Sequence, residues 1–240
     1  MPDKGSSRGQ IVVTGGSRGI GAAVVTALSE AGHEVVSLSR SGTAPAGRAL
    51  ACDVSKADAL HSSFAAIAEA GPIVGFVANA GLHLKGPSAD FSLADYEKVM
   101  GLNATAVLLG AQAAYPYLKA AGGGRIVTIG SFFDRLGVPH NLAYCASKAA
   151  VGAMVRCLAV EWAADGITVV NVAPGYIETD LNRDWLAKPK VKAWLESRVP
   201  LGRAGTADEV GELVALLMGG KLGFLTGETL YLDGAQGINH

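Results

Sequence analysis

Seven short apolar runs alternate along the chain with longer stretches of helical composition: Gln10–Thr14, Glu34–Ser39, Ala49–Cys52, Ile73–Ala78, Arg125–Gly130, Thr168–Asn171 and Thr229–Leu232. Most lack the strict apolar–polar alternation of a strand with one wet face, which is the pattern of strands covered on both faces. Strands of that kind, separated by helices, predict right-handed βαβ units and a parallel sheet. The expected fold is therefore α/β, doubly wound, with helices on both faces of the sheet and a single domain. Helix ends carry their own punctuation. Ser92-Leu-Ala-Asp95 and Thr206-Ala-Asp-Glu209 read as N-terminal caps, and Asp165-Gly166 as a C-terminal stop.

Two apolar stretches change this picture. From about Leu142 to Ala164 only Lys148, Arg156 and Glu161 are charged, so this helix must be covered nearly all round. One face can pack on its own sheet and the other on a second subunit, which predicts a homo-oligomer. Val99 to Leu118 is uncharged and long enough to cross a bilayer. Asn103, Thr105, Gln112 and Pro116 inside it, with Gly101 and Gly110, argue instead for a buried helix and no membrane span. The first residues, Met-Pro-Asp-Lys-Gly-Ser-Ser-Arg-Gly, lack the apolar core of a secretion signal. They read as a flexible tail over 1–9, with the folded domain over 10–240.

Composition adds bounds. A chain of 240 residues fits one domain that buries about 70–75 per cent of its unfolded surface. Formal net charge is −1, and Lys and Arg are scattered, so no nucleic-acid patch is expected. Cys52, Cys145 and Cys157 form an odd set without metal-ligand spacing, consistent with a cytoplasmic location. Cys145 reads as a small packing residue. Five histidines (His33, His61, His83, His140 and His240) likewise show no metal spacing; His83 and His140 read as loop residues near a substrate mouth.

Candidate chemistry begins at Thr14-Gly15-Gly16-Ser17-Arg18-Gly19-Ile20-Gly21, directly after the first strand. Glycines let a backbone approach a pyrophosphate, and the following helix aims free N–H groups and its positive end at the phosphates. A second signal is Tyr144-x-x-x-Lys148, which places a phenol and an ammonium on one helix face. A nearby cation lowers a phenol's pKa, and a tuned phenol can protonate a carbonyl oxygen.

Thr14-Gly-x-x-x-Gly-x-Gly21, Asn79-Ala80-Gly81, Asn103, Ser131, Tyr144-x-x-x-Lys148 and Pro174-Gly175 with Thr179 follow one another in order along the chain. In this the sequence resembles the short-chain dehydrogenase/reductase family over about residues 10–236, and looks most similar to its 3-oxoacyl-carrier-protein-reductase-like branch. The resemblance implies a Rossmann-type sheet of seven strands ordered 3-2-1-4-5-6-7, a homotetramer (with a dimer as the smaller alternative) and a nicotinamide cofactor. It implies that Ser131, Tyr144, Lys148 and Asn103 are catalytic: Ser131 orients the carbonyl, Tyr144 donates its proton, Lys148 lowers the Tyr144 pKa and holds the nicotinamide ribose, and Asn103 holds a water that feeds Lys148. A purely structural Asn103, bridging a helix by its side chain, is the competing reading. Cofactor contacts are expected from Thr14, Gly15, Ser17, Arg18, Gly19, Ile20 and Gly21, from Asp53 and Val54 beside the adenine, and from Asn79, Ala80 and Gly81 at the ribose. Tyr144, Lys148, Pro174, Gly175, Ile177 and Thr179 complete that set. At the end of the second strand Ser39 and Arg40 stand where NAD-preferring members place an acid. With Arg18 opposite, this corner favours NADP(H).

The expected substrate is a small carbonyl compound, free or bound as a thioester. His83, Leu84, Phe132, Phe133, Leu136 and Val138 should border it, with Tyr176, Trp185 and Trp194 in a lid over 176–199. Asp165-Gly166 and Gly122-Gly-Gly124 stand where carrier-protein reductases present basic residues, while Arg125 and Arg135 offer some positive potential. The expected activity is NADPH-dependent reduction of a ketone or 3-oxoacyl group. An NADP-dependent dehydrogenase running in the oxidative direction, or a noncatalytic NADP(H)-binding regulator, are the alternatives.

Overall fold

A computed structural model describes residues 9–180 and 182–239, so nearly all of the tail expected over 1–9 lies outside the described residues. The strands are β1 (Gln10–Thr14), β2 (Glu34–Ser39), β3 (Arg48–Ala51), β4 (Ile73–Ala78), β5 (Gly124–Ile129), β6 (Ile167–Pro174), β7 (Ile177–Glu178), β8 (Gly205–Thr206) and β9 (Thr229–Leu232). Seven of them form one parallel sheet in the order β3-β2-β1-β4-β5-β6-β9. Counting that sheet alone, the order is the expected 3-2-1-4-5-6-7. β7 and β8 pair beside it as a two-residue parallel ribbon. β6 runs three residues beyond its expected end at Asn171, because Asn171–Pro174 pair with Thr229–Leu232 of β9.

The helices are α1 (Gly19–Glu30), α2 (Ala57–Ala68), α3 (Leu93–Met100), α4 (Ala106–Ala120), α5 (Leu142–Trp162), α6 (Arg183–Leu186), α7 (Pro189–Arg198) and α8 (Ala207–Met218). They cover the sheet on both faces. Ile11 and Val13 of β1 join one core with Val24, Leu28 and Val214 of α1 and α8. Val12 joins the other, with Phe64, Ala114 and Val155 of α2, α4 and α5. Neighbouring positions on one strand thus enter opposite cores, which is why the strand sequences are apolar without alternation. Phe64 and Phe76 meet edge to face at 5.6 Å, and burying each side chain is worth about 1.5–3 kcal/mol.

The caps read from sequence are present. Ser92 accepts from the Asp95 N–H, Thr206 and Glu209 form a reciprocal capping box, and Gly166 adopts φ 72° after α5. The uncharged segment over 99–118 is buried along one side, with Thr105, Gln112 and Pro116 exposed, and is not one regular helix. A π-helical turn, Gly101–Thr105, joins α3 to α4. The stretch Leu142–Asp165 is long and apolar enough to cross a membrane, yet Val151, Val155 and Leu158 pack in the core. It is a core helix with one open side.

Candidate active site

The glycine turn forms where β1 leaves the sheet. Gly15 has φ 71°, a left-handed conformation that glycine adopts without strain. A Cβ on Gly21 would overlap the Gly15 carbonyl oxygen and the Asn79 amide, so turn and helix pack backbone against backbone. Thr14 and Asn79, expected among the cofactor residues, are engaged in holding this turn. Thr14 Oγ1 accepts from the N–H groups of Asn79 at 3.0 Å and Ala80 at 3.2 Å, and Asn79 Nδ2 donates to the Thr14 carbonyl at 2.9 Å. Next to them α1 starts with no side-chain cap and no acidic residue in its first turn. Its first N–H groups and positive dipole end thus lie at the C-terminal edge of the sheet, a donor set that fits a pyrophosphate. A Cβ on Gly19 would come within 3.7 Å of the Thr179 methyl, so the segment after β6 reaches across the turn. Pro174 ends β6, Gly175 packs against the Asp233 backbone, and Ile177 is buried.

At the end of β2, Ser39, Ser41 and Thr43 form a chain of hydroxyls, 3.2 and 2.8 Å apart in turn. Arg40 and Arg18 are both exposed. Val54 is buried, and the Asp53 carboxylate accepts from the Ser55 hydroxyl and N–H. Those bonds hold its pKa below the usual carboxylate value.

Ser131, Tyr144 and Lys148 converge at the same edge. Ser131 follows β5 and caps the short turn Phe132–Asp134, its Oγ accepting from the Phe133 N–H at 3.3 Å. Its hydroxyl also bears on the Tyr144 oxygen, favouring the ionised phenol. Lys148, one helical turn beyond Tyr144, donates to the Ile129 carbonyl at 2.7 Å and stands 5.6 Å from the Tyr144 ring centre. One expectation fails. The Tyr144 pKa is not lowered; burial dominates and pushes the phenol above its ordinary value against the Ser131 contact. Burial instead moves Lys148 from 10.5 down to about 8.

Asn103 lies in the π-turn and is fully buried. Its Oδ1 accepts from the Leu82 N–H at 2.8 Å, while Nδ2 donates to the Leu82 carbonyl at 2.9 Å and to Ser147 Oγ at 3.1 Å. The side chain is a clamp between the loop after β4 and the helix that carries Tyr144. With both amide protons engaged, the side chain has no donor left for a water.

Aromatic rings wall the mouth. His83 lies 4.3 Å from Tyr144, Phe133 is edge-on to Tyr144 at 5.9 Å and to Tyr176 at 6.3 Å, and Tyr176 meets Trp194 at 5.2 Å. Trp194 rather than Trp185 joins this series. Trp185 is 43 % exposed and has no ring contact among the described residues. Leu136 and Val138 line an adjoining open groove with Ser88, Pro139 and His140. Neither expected basic residue offers free surface potential. Arg125 is buried, donating to Thr168 and to the Leu217 and Leu222 carbonyls. Arg135 stacks 3.6 Å over the Tyr231 ring and pairs with Asp233.

Two neighbours of the site escaped the sequence reading. Ser147 is buried and donates to the Tyr144 carbonyl at 2.8 Å; a hydroxyl on the inner face of an apolar helix was its available signal. Asn141 stands at the α5 N-terminus but caps nothing with its side chain, bonding His83 and the Pro139 carbonyl instead.

An uncapped helix after a glycine turn, beside a Tyr–Lys pair on a doubly wound sheet, defines a dinucleotide-dependent oxidoreductase. A family model described as enoyl-(acyl carrier protein) reductase matches residues 15–236. The chain is 34% identical over 232 residues to the 3-oxoacyl-[acyl-carrier-protein] reductase MabA of Mycobacterium bovis, covering 96% of this chain and 93% of that one. It is 34% identical to glucose 1-dehydrogenase of Gluconobacter oxydans, covering 94% and 90%. A solved gluconate 5-dehydrogenase from Burkholderia cenocepacia, in complex with NADP and tartrate, superposes with a TM-score of 0.90 at 30% identity, covering 97% and 96%. The chain belongs to the short-chain dehydrogenase/reductase family, oxidoreductases that act on CH–OH and C=O groups with a nicotinamide cofactor.

Proposed function

We propose that this protein reduces a ketone or 3-oxoacyl group to a secondary alcohol, using NADPH. The observation that carries the reading is the convergence of Ser131, Tyr144 and Lys148 beside the glycine turn, at one edge of the sheet. When bound, NADPH supplies the hydride. Tyr144 gives its proton to the carbonyl oxygen as charge develops there, and Ser131 donates a hydrogen bond to the same oxygen. The raised pKa of Tyr144 keeps the phenol protonated at neutral pH, the form a proton donor needs. Lys148, at about 8, exchanges protons near neutral pH and can reload the phenol; it also holds the nicotinamide ribose. Asn103 serves this group by fixing the loop at Leu82 against α5.

NADP(H) is preferred over NAD(H) in this reading, because Arg40 and Arg18 are exposed where a 2'-phosphate would sit and no acid ends β2. The substrate is a small carbonyl compound, and the internal engagement of Arg125 and Arg135 argues against an acidic carrier protein at this face. Names among the relatives include dehydrogenases, which favours a second reading in which the same groups oxidise an alcohol. Free cysteines at 52, 145 and 157 suit a reducing cytoplasm. The open side of α5, with Leu142 49% and Val160 80% exposed, is the surface through which we infer a homotetramer, or a dimer, to assemble.

The test follows absorbance loss of NADPH with ketones, β-keto esters and 3-oxoacyl thioesters. Tyr144→Phe is expected to abolish reduction while NADPH still binds; retained turnover would overturn the proton-donor role.

A further inference from the structure

His83 borders the reacting group without a role in the steps above, and its hydrogen bonds fix which ring nitrogen is free. Asn141 Nδ2 donates to the Pro139 carbonyl at 2.7 Å, an atom that can only accept, so Asn141 Oδ1 is the atom facing His83. His83 Nε2 lies 2.5 Å from that oxygen and therefore carries a proton. Partial desolvation beside the aromatic wall, with Lys85 and Lys148 nearby, favours the neutral ring over the cation against the Asn141 bond. A neutral ring protonated at Nε2 presents a bare lone pair at Nδ1, which has no partner among the described residues. The ring packs 4.3 Å from Tyr144 and edge-on to Phe133 at 6.4 Å, yet His83 stays exposed.

We propose that His83 Nδ1 accepts a hydrogen bond from the substrate and selects carbonyl compounds bearing a hydroxyl one or two carbons from the carbonyl. This rests on the reductase reading. With the carbonyl oxygen held by Tyr144 and Ser131, a group bonded to a ring packed at a tilt against Tyr144 belongs near the reacting carbon, not in a distant tail. A neutral acceptor disfavours a carboxylate there, and the charges of Lys85 and Lys148 disfavour an ammonium. A hydroxyl satisfies both conditions.

The experiment compares 3-hydroxy-2-butanone and 4-hydroxy-2-butanone with 2-butanone, in the wild type and in His83→Leu. At least one hydroxyketone is expected to exceed 2-butanone in kcat/KM by about tenfold or more, and His83→Leu to lose about tenfold more on it than on 2-butanone. A wild type without the preference, or a variant that falls equally on all three, overturns the proposal; the second result would leave His83 only steadying Tyr144. Nitrogen-15 NMR at pH 7 provides an arm independent of turnover. His83 should be protonated at Nε2 and bare at Nδ1, and the opposite tautomer overturns the proposal even if ketones are reduced. Absence of any ketone turnover, with either nicotinamide cofactor, would sink the reductase reading itself and this proposal with it.

Discussion

Asn103→Leu keeps nearly the same volume but removes all three hydrogen bonds that tie the loop after β4 to α5. The N–H and carbonyl of Leu82 lose their partner, while Ser147 keeps its bond to the Tyr144 carbonyl at 2.8 Å. A buried polar group left unpaired costs about 1–3 kcal/mol. Leu82 is only partly buried, so water recovers some of that cost, and about 3 kcal/mol in all is a fair magnitude. For a domain of this size that corresponds to roughly 6–12 °C in Tm. Thermal and urea unfolding at matched concentration give the measurement. Asn103→Asp, which keeps the acceptor for the Leu82 N–H and loses both donors, should also be destabilised. Activity should fall with stability, because the loop that carries His83 and the helix that carries Tyr144 lose their common anchor. A Tm within about 2 °C of wild type in both variants would refute the clamp. If activity were lost without any loss of stability, the water-holding role would be the better account of Asn103.

Other consequences are as direct. Arg40→Ala should weaken NADPH binding with little change for NADH, by fluorescence titration; equal losses would remove the 2'-phosphate role. Lys148→Met should inactivate the protein yet raise its stability at pH 7 by up to about 3 kcal/mol, less the lost Ile129 bond. The sign follows from a pKa of about 8 folded against 10.5: between those values only the unfolded chain binds the proton, so wild-type stability rises with pH there. A lower urea midpoint for the variant at pH 7 would contradict this. Glu209 sits near 2 rather than 4.5, held by Arg203 and the Thr206 cap. Its contribution is present above about pH 4.5 and is lost as pH falls toward 2. Glu209→Gln should flatten the acid limb of a urea-midpoint profile, and an unchanged limb would count against it.

The features readable from sequence are those written in local pattern. Val12 and Val13 face opposite cores, so strand positions are apolar on both sides and the run is visible without its neighbours. Thr206 and Glu209 sit three residues apart in a box that closes on itself, and Gly15 and Gly21 are required by a backbone contact within one turn. Arg125 could not be read this way. Its acceptors Thr168, Leu217 and Leu222 are 43, 92 and 97 residues away, and a lone arginine at the start of a strand looks like surface charge.

The same distinction separates the two residues of the signature that gave the strongest sequence signal. The spacing of Tyr144 and Lys148 fixes that they share a helix face, but not the sign of the Tyr144 pKa shift, because that sign belongs to their surroundings. The ammonium is directed to the Ile129 carbonyl, nineteen positions back along the chain, and the phenol is enclosed by Phe133 from one loop and His83 from another. Desolvation then acts on both groups in the directions it must, raising the acid that ionises to an anion and lowering the cation. The two proton affinities, close in the free groups at 10.0 and 10.5, are pushed apart with the phenol now the higher, so a phenolate left by the reaction takes a proton from the lysine near 8 more readily than it would between the free groups. A pair brought together by helical periodicity thus becomes suited to carbonyl reduction through loops whose contribution no spacing rule encodes.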